Sequence, residues 1–347
     1  MKLGILLGYS GADMALPIDM VLEAERLGYD SVWTSEAYGS DAITPAAWVL
    51  SKTSKIKVGT AIVQMSARTP AMAAMTAMTL DALSGGRFIL GIGPSGPQVI
   101  EGWHGQPYGK PLARTREYIQ IIRKILERQE PLTHQGEHYQ IPYAGPGATG
   151  LGKPLKSIMH GNPKMKLYTA TITPASIKNS AEVADGMFPI YFNPLRFEIF
   201  EPSLNEGFAK TGNTKSLETY DMCPFVPVSV DDDLEKARIP IKQNLALYIG
   251  GMGARSKNFY NDYAKRLGYE EAAVKIQDAF LAGRKAEAVA AVPDKLVDEI
   301  ALVGPAARIK DRLQAWKEAG KQRHVHSMLL SGKPSKETLR MIAEAVM

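Results

Sequence analysis

The sequence predicts a single α/β domain folded as a (β/α)8 barrel, and three observations lead to this prediction. Short apolar segments alternate in strict order with amphipathic segments along the 347 residues, as in a parallel sheet covered by helices. Eight strands and eight major helices can be counted. A barrel of this kind takes about 250 residues, which leaves roughly 100 for insertions, and we expect these near residues 130–162 and 234–302.

The first half of the chain contains four predicted strands and four predicted helices. In the first helix, Leu16, Met20 and Leu27 have the spacing of one helical face. The third helix follows Thr69-Pro70, an N-cap residue with proline at the first helical position. The predicted strands are Leu3 to Leu7, Asp30 to Thr34, Ile56 to Val63 and Arg87 to Ile92, and the helices are Leu16 to Leu27, Thr44 to Lys52, Pro70 to Leu83 and Leu112 to Arg128.

The second half continues this alternation but contains two long interruptions. Residues 130–162 are rich in Gly, Pro, His and Tyr, and loops of that length are usually functional. Residues 234–302 are predicted to be a mostly helical insertion. The other strands are predicted at Lys166 to Thr171, Gly186 to Ile190, Thr219 to Val230 and His324 to Leu330, and the helices at Ala175 to Ala184, Arg196 to Ala209, Gly304 to Ala319 and Ser335 to Val346.

Composition and charge exclude several classes of protein. Hydrophobic residues make up 45% of the chain and charged residues 22%, which is the profile of a globular protein. The net charge of +5 comes from scattered residues; it suits an anionic small molecule or solubility alone, and predicts no nucleic-acid partner. The only cysteine, Cys223, excludes a disulfide framework and favours a reducing cytoplasm. No segment approaches the 18 to 20 apolar residues that a membrane span needs.

In a barrel, the chemistry is expected where strands end and helices begin. Glu36 directly follows the second predicted strand and could contact a cofactor ring or exchange protons, unless it is a solvated loop charge. His104 follows the fourth strand and is a candidate acid, base or substrate contact. The segment 173–176 (Thr-Pro-Ala-Ser), with Lys178 nearby, suits a phosphate group at a helix N-terminus, although ordinary capping would use the same residues.

A glycine-rich segment follows the fourth predicted strand. Residues 91–96 (GIGPSG) match the dinucleotide fingerprint, but Pro94 and Pro97 disrupt the turn into a helix, and residues 108–116 lack the required acid. Small residues at this position would instead allow a flat ring to approach the backbone closely.

The six histidines predict no metal site. His134 and His138 are four residues apart but lie in a segment containing glycine, where no helix aligns them. His324 and His326 share one face of a predicted strand, with no third ligand nearby in sequence. A Gly-x-Ser-x-Gly elbow is also absent, so the sequence offers no support for nucleophilic hydrolysis.

Several strings occur in an order that is typical of one known family. They are Ala24 to Trp33, Thr79 to Arg87, Leu90 to Gly93, Arg114 to Tyr118, Ala181 to Gly186, and Gly304-Pro305. As an ordered set they resemble the luciferase-like monooxygenase superfamily, in particular its coenzyme F420-dependent oxidoreductases of the methylenetetrahydromethanopterin reductase type. The resemblance covers essentially the whole chain and is densest from Met1 to Arg123.

The resemblance implies a bacterial luciferase-like TIM barrel with a cofactor ring held at the C-terminal rim, and a homodimer. The third strand of such proteins often contains a cis non-prolyl peptide bond behind the ring, and residues 59–62 (GTAI) place that bond between Ala61 and Ile62. Of the implied cofactor-binding residues, Thr173, Ser176 and Lys178 lie where the phosphate of the cofactor binds. The implied cofactor-binding residues are Glu36, Ala61, Ile62, Gly93, Pro94, Ser95, Gly96, Thr173, Ser176 and Lys178.

The catalytic residues are less well defined by the resemblance. In many deazaflavin relatives a histidine that serves in proton transfer follows the acid after strand two, and Ala37 stands at that position here. Glu36, Tyr38 and His104 are therefore the candidate catalytic residues.

The leading functional hypothesis is hydride transfer between C5 of coenzyme F420 and an organic substrate. One alternative is an FMN-dependent monooxygenase, which uses the same barrel. A second is a deazaflavin-binding protein without turnover, which the missing histidine leaves open.

Overall fold

The structure is a computed structural model that describes residues 1–347. None of its helices is both long enough and apolar enough to cross a membrane. The strands are β1 (Lys2–Gly8), β2 (Ser31–Thr34), β3 (Lys57–Thr60), β4 (Val63–Gln64), β5 (Phe88–Gly93), β6 (His134–Gln135), β7 (Gln140–Ile141), β8 (Leu167–Thr171), β9 (Gly186–Pro189), β10 (Asp221–Met222), β11 (Phe225–Val230), β12 (Leu302–Gly304) and β13 (Ser327–Ser331). The helices are α1 (Ile18–Arg26), α2 (Ile43–Lys52), α3 (Pro70–Ser84), α4 (Pro97–Ile100), α5 (Pro111–Glu127), α6 (Pro174–Val183), α7 (Glu201–Ala209), α8 (Leu234–Ala246), α9 (Phe259–Arg266), α10 (Glu270–Leu281), α11 (Lys285–Ala290), α12 (Asp294–Ile300), α13 (Ala306–Lys321) and α14 (Lys336–Val346).

The main sheet is parallel and closes on itself. Hydrogen-bonded neighbours run in the order β9, β8, β5, β3, β2, β1, β13. The bent segment of β10 and β11 joins the two ends, because β10 pairs with β9 and β11 pairs with β13. At the bend, the amide of Cys223 donates to Met187 O at 2.9 Å and the amide of His326 donates to Met222 O at 2.8 Å. The predicted (β/α)8 barrel is confirmed.

Two predicted strands are divided in the structure. The strand expected from Ile56 to Val63 becomes β3 and β4, and the Ala61–Ile62 peptide bond between them is cis, as the resemblance implied. The strand expected from Thr219 to Val230 is interrupted at Pro224. Proline has no N–H to donate to a sheet, so it is found at the edges and bends of strands.

Aromatic side chains fill the middle of the barrel. The Trp33 ring lies 5.7 Å from the Tyr168 ring and 5.0 Å from the Phe188 ring, between ring centroids. Gly59 and Gly91 leave room for these rings because they have no side chain. A Cβ on Gly59 would lie 2.4 Å from the Trp33 ring, and a Cβ on Gly91 would lie 1.9 Å from a backbone oxygen of β3. The barrel is therefore packed through its centre, and a ligand can enter it only at its two mouths.

The two long segments differ in structure. Residues 130–162 contain only the short β6–β7 hairpin as regular structure, whereas residues 234–302 contain α8 to α12. The second segment contacts the C-terminal side of the barrel, where the Tyr191 hydroxyl donates to Asn244 Oδ1 at 2.7 Å. The Tyr263 hydroxyl also donates to Tyr191 O at 3.3 Å. The helical segment thus lies beside the ends of the strands.

Candidate active site

The C-terminal mouth of the barrel has a floor of small and apolar residues. Gly93 ends β5, and a Cβ at this position would lie 3.0 Å from Ile62 Cγ1 and 3.3 Å from Ala170 Cβ. Ile62 and Ala170 are partly exposed, in contrast to the buried aromatic residues beneath them. We define Ile62, Gly93 and Ala170 as the rim floor. Because glycine adds no side chain between the other two residues, a flat ring can lie against this surface.

Glu36 lies beside the rim floor, and both of its carboxylate oxygens accept hydrogen bonds. Oε1 accepts hydrogen bonds from the backbone N–H of Gln64 at 2.7 Å and from Arg68 Nη1 at 2.5 Å, and Oε2 accepts from the Ala42 N–H at 3.0 Å. Its side chain is 6% exposed. Glu36 therefore joins the loop after β2 to β4 and to the turn that follows β4. These bonds give it a positioning role, and its contact with a cofactor ring stays a prediction.

Gln64 connects Glu36 to His104. Gln64 is paired with Gly93 between β4 and β5, and its Nε2 donates to Ala37 O at 3.0 Å and to Ser95 Oγ at 3.2 Å. This orientation of the amide leaves Oε1 as the acceptor, 2.5 Å from His104 Nε2. Since Oε1 can only accept, His104 carries a proton on Nε2 and its Nδ1 is the basic nitrogen of the neutral ring.

The loop after β5 is held in place beside this network. Ser95 has a φ of 57°, a left-handed conformation that is uncommon outside glycine, and its carbonyl accepts from the Tyr108 hydroxyl at 3.2 Å. Burial raises the pKa of Tyr108, with an opposing effect from Arg114. Pro94 and Gly96 are partly exposed on either side of Ser95. The predicted segment from Gly93 to Gly96 thus lies at the C-terminal mouth.

Tyr38 is placed apart from Glu36 and His104. Its side chain is 66% exposed, and it belongs to a group of tyrosines with Tyr9, Tyr248 and Tyr260. Burial raises the pKa of Tyr248, to which Tyr9 and Tyr38 add smaller contributions. The rings of Tyr248 and Tyr260 are 4.8 Å apart between centroids. Of the three candidate catalytic residues, only Glu36 and His104 are connected.

The residues expected near a phosphate separate into two groups. Thr173 and Ser176 form a reciprocal capping box at the start of α6, in which Thr173 Oγ1 accepts from the Ser176 N–H and Ser176 Oγ accepts from the Thr173 N–H. Lys178 lies elsewhere: its ammonium group pairs with Glu206 of α7 at 2.5 Å on the surface. The capping interpretation accounts for both hydroxyl side chains, and Lys178 does not join them.

Arg266 is a cation near the start of α6 that sequence reasoning missed. Its guanidinium donates from Nη2 to Ile172 O, and its Nη1 is buried without a partner. Burial lowers the pKa of Arg266. The guanidinium carbon lies 5.1 Å from the centre of the Tyr263 ring, and Asp262 adds a favourable charge at longer range. Because Nη1 has no partner, this position favours an anionic group that would accept from it. Arg266 comes from α9, 94 residues away in sequence from Ile172, and no local motif marks it.

Comparisons with known proteins agree with the fold. The profile of the luciferase-like monooxygenase family matches residues 4–323. A Mycobacterium tuberculosis protein named as a coenzyme F420-dependent oxidoreductase is 45% identical over 92% of this chain and 93% of its own length. The chain belongs to the luciferase-like monooxygenase family.

Solved luciferase-like structures share the fold over the whole chain. The coenzyme F420-dependent tetrahydromethanopterin reductase of Methanopyrus kandleri has a TM-score of 0.78 at 23% identity, with 99% of this chain and 98% of the other covered. An F420-dependent secondary alcohol dehydrogenase, solved with an F420-acetone adduct, has a TM-score of 0.75 at 18% identity, with 100% and 99% covered. At these identities the likeness establishes the luciferase-like barrel and leaves the substrate open.

Replacing Glu36 tests its positioning role. We expect Glu36→Gln to lower the free energy of unfolding by about 3 kcal/mol, because Arg68 would keep its charge in a partly buried position without a carboxylate partner. Urea unfolding followed by circular dichroism measures this change. The control is Glu206→Gln, which removes an exposed ion pair and should change stability by about 0.5 kcal/mol or less. Equal losses in the two variants would contradict the role assigned to Glu36.

Proposed function

We propose that this protein is a coenzyme F420-dependent oxidoreductase that transfers a hydride between C5 of the deazaflavin and an organic substrate. The observation that carries the proposal is the apolar rim floor, where Gly93 places no side chain between Ile62 and Ala170. The Mycobacterium tuberculosis relative, which covers nearly the whole chain, supports the same cofactor.

The residues at the C-terminal mouth fit a ring with an anionic tail. The rim floor and the neighbouring Pro94 and Ser95 would hold the ring on one face. The N-terminus of α6 and the guanidinium of Arg266 would hold a phosphate group, since helix N-termini and unpaired arginines both favour anions. Coenzyme F420 supplies the carbon centre that carries the hydride, so the chain needs only to bind, orient and exchange protons.

We assign the proton-transfer role to His104. Gln64 holds Nε2 at 2.5 Å and thereby directs the basic Nδ1 away from the protein amide. Glu36 acts through Gln64, whose backbone N–H it binds at 2.7 Å. Tyr38 is a contact residue in this proposal, because its side chain is exposed and lies beside the more buried Tyr248.

Titration with two cofactors tests the proposed function. We expect oxidised coenzyme F420 to bind at least about tenfold more tightly than FMN, measured by the change in fluorescence of each chromophore. The reverse preference would contradict the proposal and favour the FMN-dependent monooxygenase. Tight F420 binding without reduction by any hydride donor in an alcohol panel would favour a deazaflavin-binding protein without turnover.

The variant His104→Gln tests the proton-transfer role. We expect kcat to fall by about a hundredfold, the usual contribution of a positioned acid or base, while the dissociation constant of F420 changes less than about twofold. The pH profile of kcat, with a substrate that the parent enzyme turns over, should lose the limb that reports the imidazole. An unchanged profile would remove His104 from the reaction.

We also propose that the protein is a homodimer, supported by apolar side chains on the outer faces of α2 and α3. Trp48, Met72 and Met75 are 54%, 53% and 58% exposed. We expect Trp48→Glu to shift the sedimentation coefficient to that of a 37.8 kDa monomer, because a buried charge in the interface is costly. Leu155→Glu, at a position that is 78% exposed, is the control. A parent protein that already sediments as a monomer would contradict the dimer.

Two further expectations belong to the proposal. We infer that the chain is a single domain in which residues 130–162 and 234–302 are insertions, as the strand order across both segments suggests. A cytoplasmic location is supported by the free, buried thiol of Cys223. Limited proteolysis tests the first expectation, since separate domains would yield stable fragments cut between them. Cell fractionation tests the second.

A further inference from the structure

The opposite mouth of the barrel contains a cavity that the proposed function does not use. It has a volume of about 240 Å³ and lies at the N-terminal ends of the strands. Its floor includes Trp33, Ile89, Tyr168 and Cys223, which form the lower side of the aromatic filling. This filling separates the cavity from the rim floor. We call it the N-terminal cavity.

Charged side chains from the starts of several strands surround the N-terminal cavity. Asp30 Oδ1 accepts from Lys57 Nζ at 3.1 Å and lies 3.5 Å from Lys2 Nζ. Two lysines therefore share one carboxylate, and the side chains of both remain at least 40% exposed.

The second carboxylate of the cavity is Asp221, and both of its oxygens have partners. Oδ2 accepts from the Tyr168 hydroxyl at 2.5 Å and lies 3.3 Å from Lys166 Nζ. Oδ1 lies 3.1 Å from His326 Nδ1. Three donors thus compensate Asp221, and it offers little to a further cation.

The remaining polar groups leave a surplus of hydrogen-bond donors. Lys164 lines the cavity and forms no ion pair, and each lysine carries three N–H donors. The Ser327 hydroxyl is buried without a partner, in a residue that is 3% exposed. The third carboxyl group, Asp81, has a pKa raised by burial and bonds to Asn162 and to the backbone of Phe88. Four lysines therefore face three aspartates, whose acceptor positions are largely occupied.

We propose that the N-terminal cavity binds a small oxyanion of the phosphate class. Such an anion supplies acceptors for the Lys164 ammonium group, for the Ser327 hydroxyl and for the N–H donors that the paired lysines leave unused. Lysine binds phosphate as a point charge from any direction. The apolar walls formed by Trp33, Phe88 and Ile89 concentrate the field of the lysines within the cavity. The site lies on the far side of the aromatic filling from the deazaflavin.

Stability alone does not explain this arrangement. Ion pairs between exposed lysines and carboxylates contribute little to stability, so these lysines add little to folding. Protein interiors are also close-packed, whereas here the charged side chains surround an open volume of about 240 Å³. A cavity lined by more hydrogen-bond donors than acceptors is suited to binding an anion.

Calorimetric titration with inorganic phosphate tests the proposal. At low ionic strength and pH 7 we expect saturable binding to the parent protein, and binding about tenfold weaker to the double variant Lys57→Gln with Lys166→Gln. Lys295→Gln is the matched control, because it removes a positive charge from a side chain that is 81% exposed and distant from the cavity residues. A parallel titration with glycerol 3-phosphate distinguishes a free anion from a phosphorylated metabolite, and saturable binding of either one supports the site.

A second variant keeps the test independent of folding. Ser327→Ala removes a hydroxyl that has no partner in the structure, so we expect it to fold normally and to weaken phosphate binding by about threefold. Absence of saturable binding to the parent protein would overturn the proposal. Unchanged phosphate affinity in both Ser327→Ala and the lysine double variant would also overturn it, as would an equal loss of affinity in Lys295→Gln. Displacement of phosphate by oxidised F420 would overturn it too, because the anion would then lie at the cofactor site.

Discussion

The closed barrel depends on the packing of large aromatic rings against glycine backbones at its centre. Trp33, Tyr168 and Phe188 contact one another inside the ring of strands, and they fit only because Gly59 and Gly91 carry no side chain. Aromatic pairs in contact add about 0.5 to 1.5 kcal/mol beyond their buried area. The same packing blocks the axis of the barrel, so the protein has two separate mouths with different chemistry.

The C-terminal mouth is apolar in the middle and polar at its edge. Ile62, Gly93 and Ala170 form a small apolar surface, and a chain of hydrogen bonds from Glu36 through Gln64 to His104 runs along one side. These bonds position the His104 imidazole, which lies on the segment between β5 and α5. In our proposal this imidazole exchanges the proton, because the side chain of Ala37 carries no titratable group.

Positively charged groups are concentrated at two separate positions, which the net charge of +5 does not show. Near α6, the guanidinium of Arg266 has no carboxylate partner, which suits an anionic group on the cofactor side. At the N-terminal mouth, lysines exceed the aspartates that they face. Two positions favourable to anions thus lie on opposite sides of one barrel, separated by its aromatic filling. A mild basic excess over the whole chain is compatible with two anion-binding positions, because each position needs only a few hydrogen-bond donors without partners.

The sequence by itself determined the eight strands and eight major helices of the (β/α)8 barrel, because these follow from periodicity. The family and the position of the Ala61–Ile62 bond came from the resemblance of local strings to a known family. The sequence also placed Glu36, His104 and the segment from Gly93 to Gly96 at the C-terminal mouth, since strand ends in a parallel barrel share one face. Only the tertiary structure decided that Glu36 is bound by Gln64 and Arg68, that Lys178 pairs with Glu206, and that Arg266 reaches α6. These contacts join residues from separate strands and helices, and side-chain direction across such distances is set by packing rather than by local pattern.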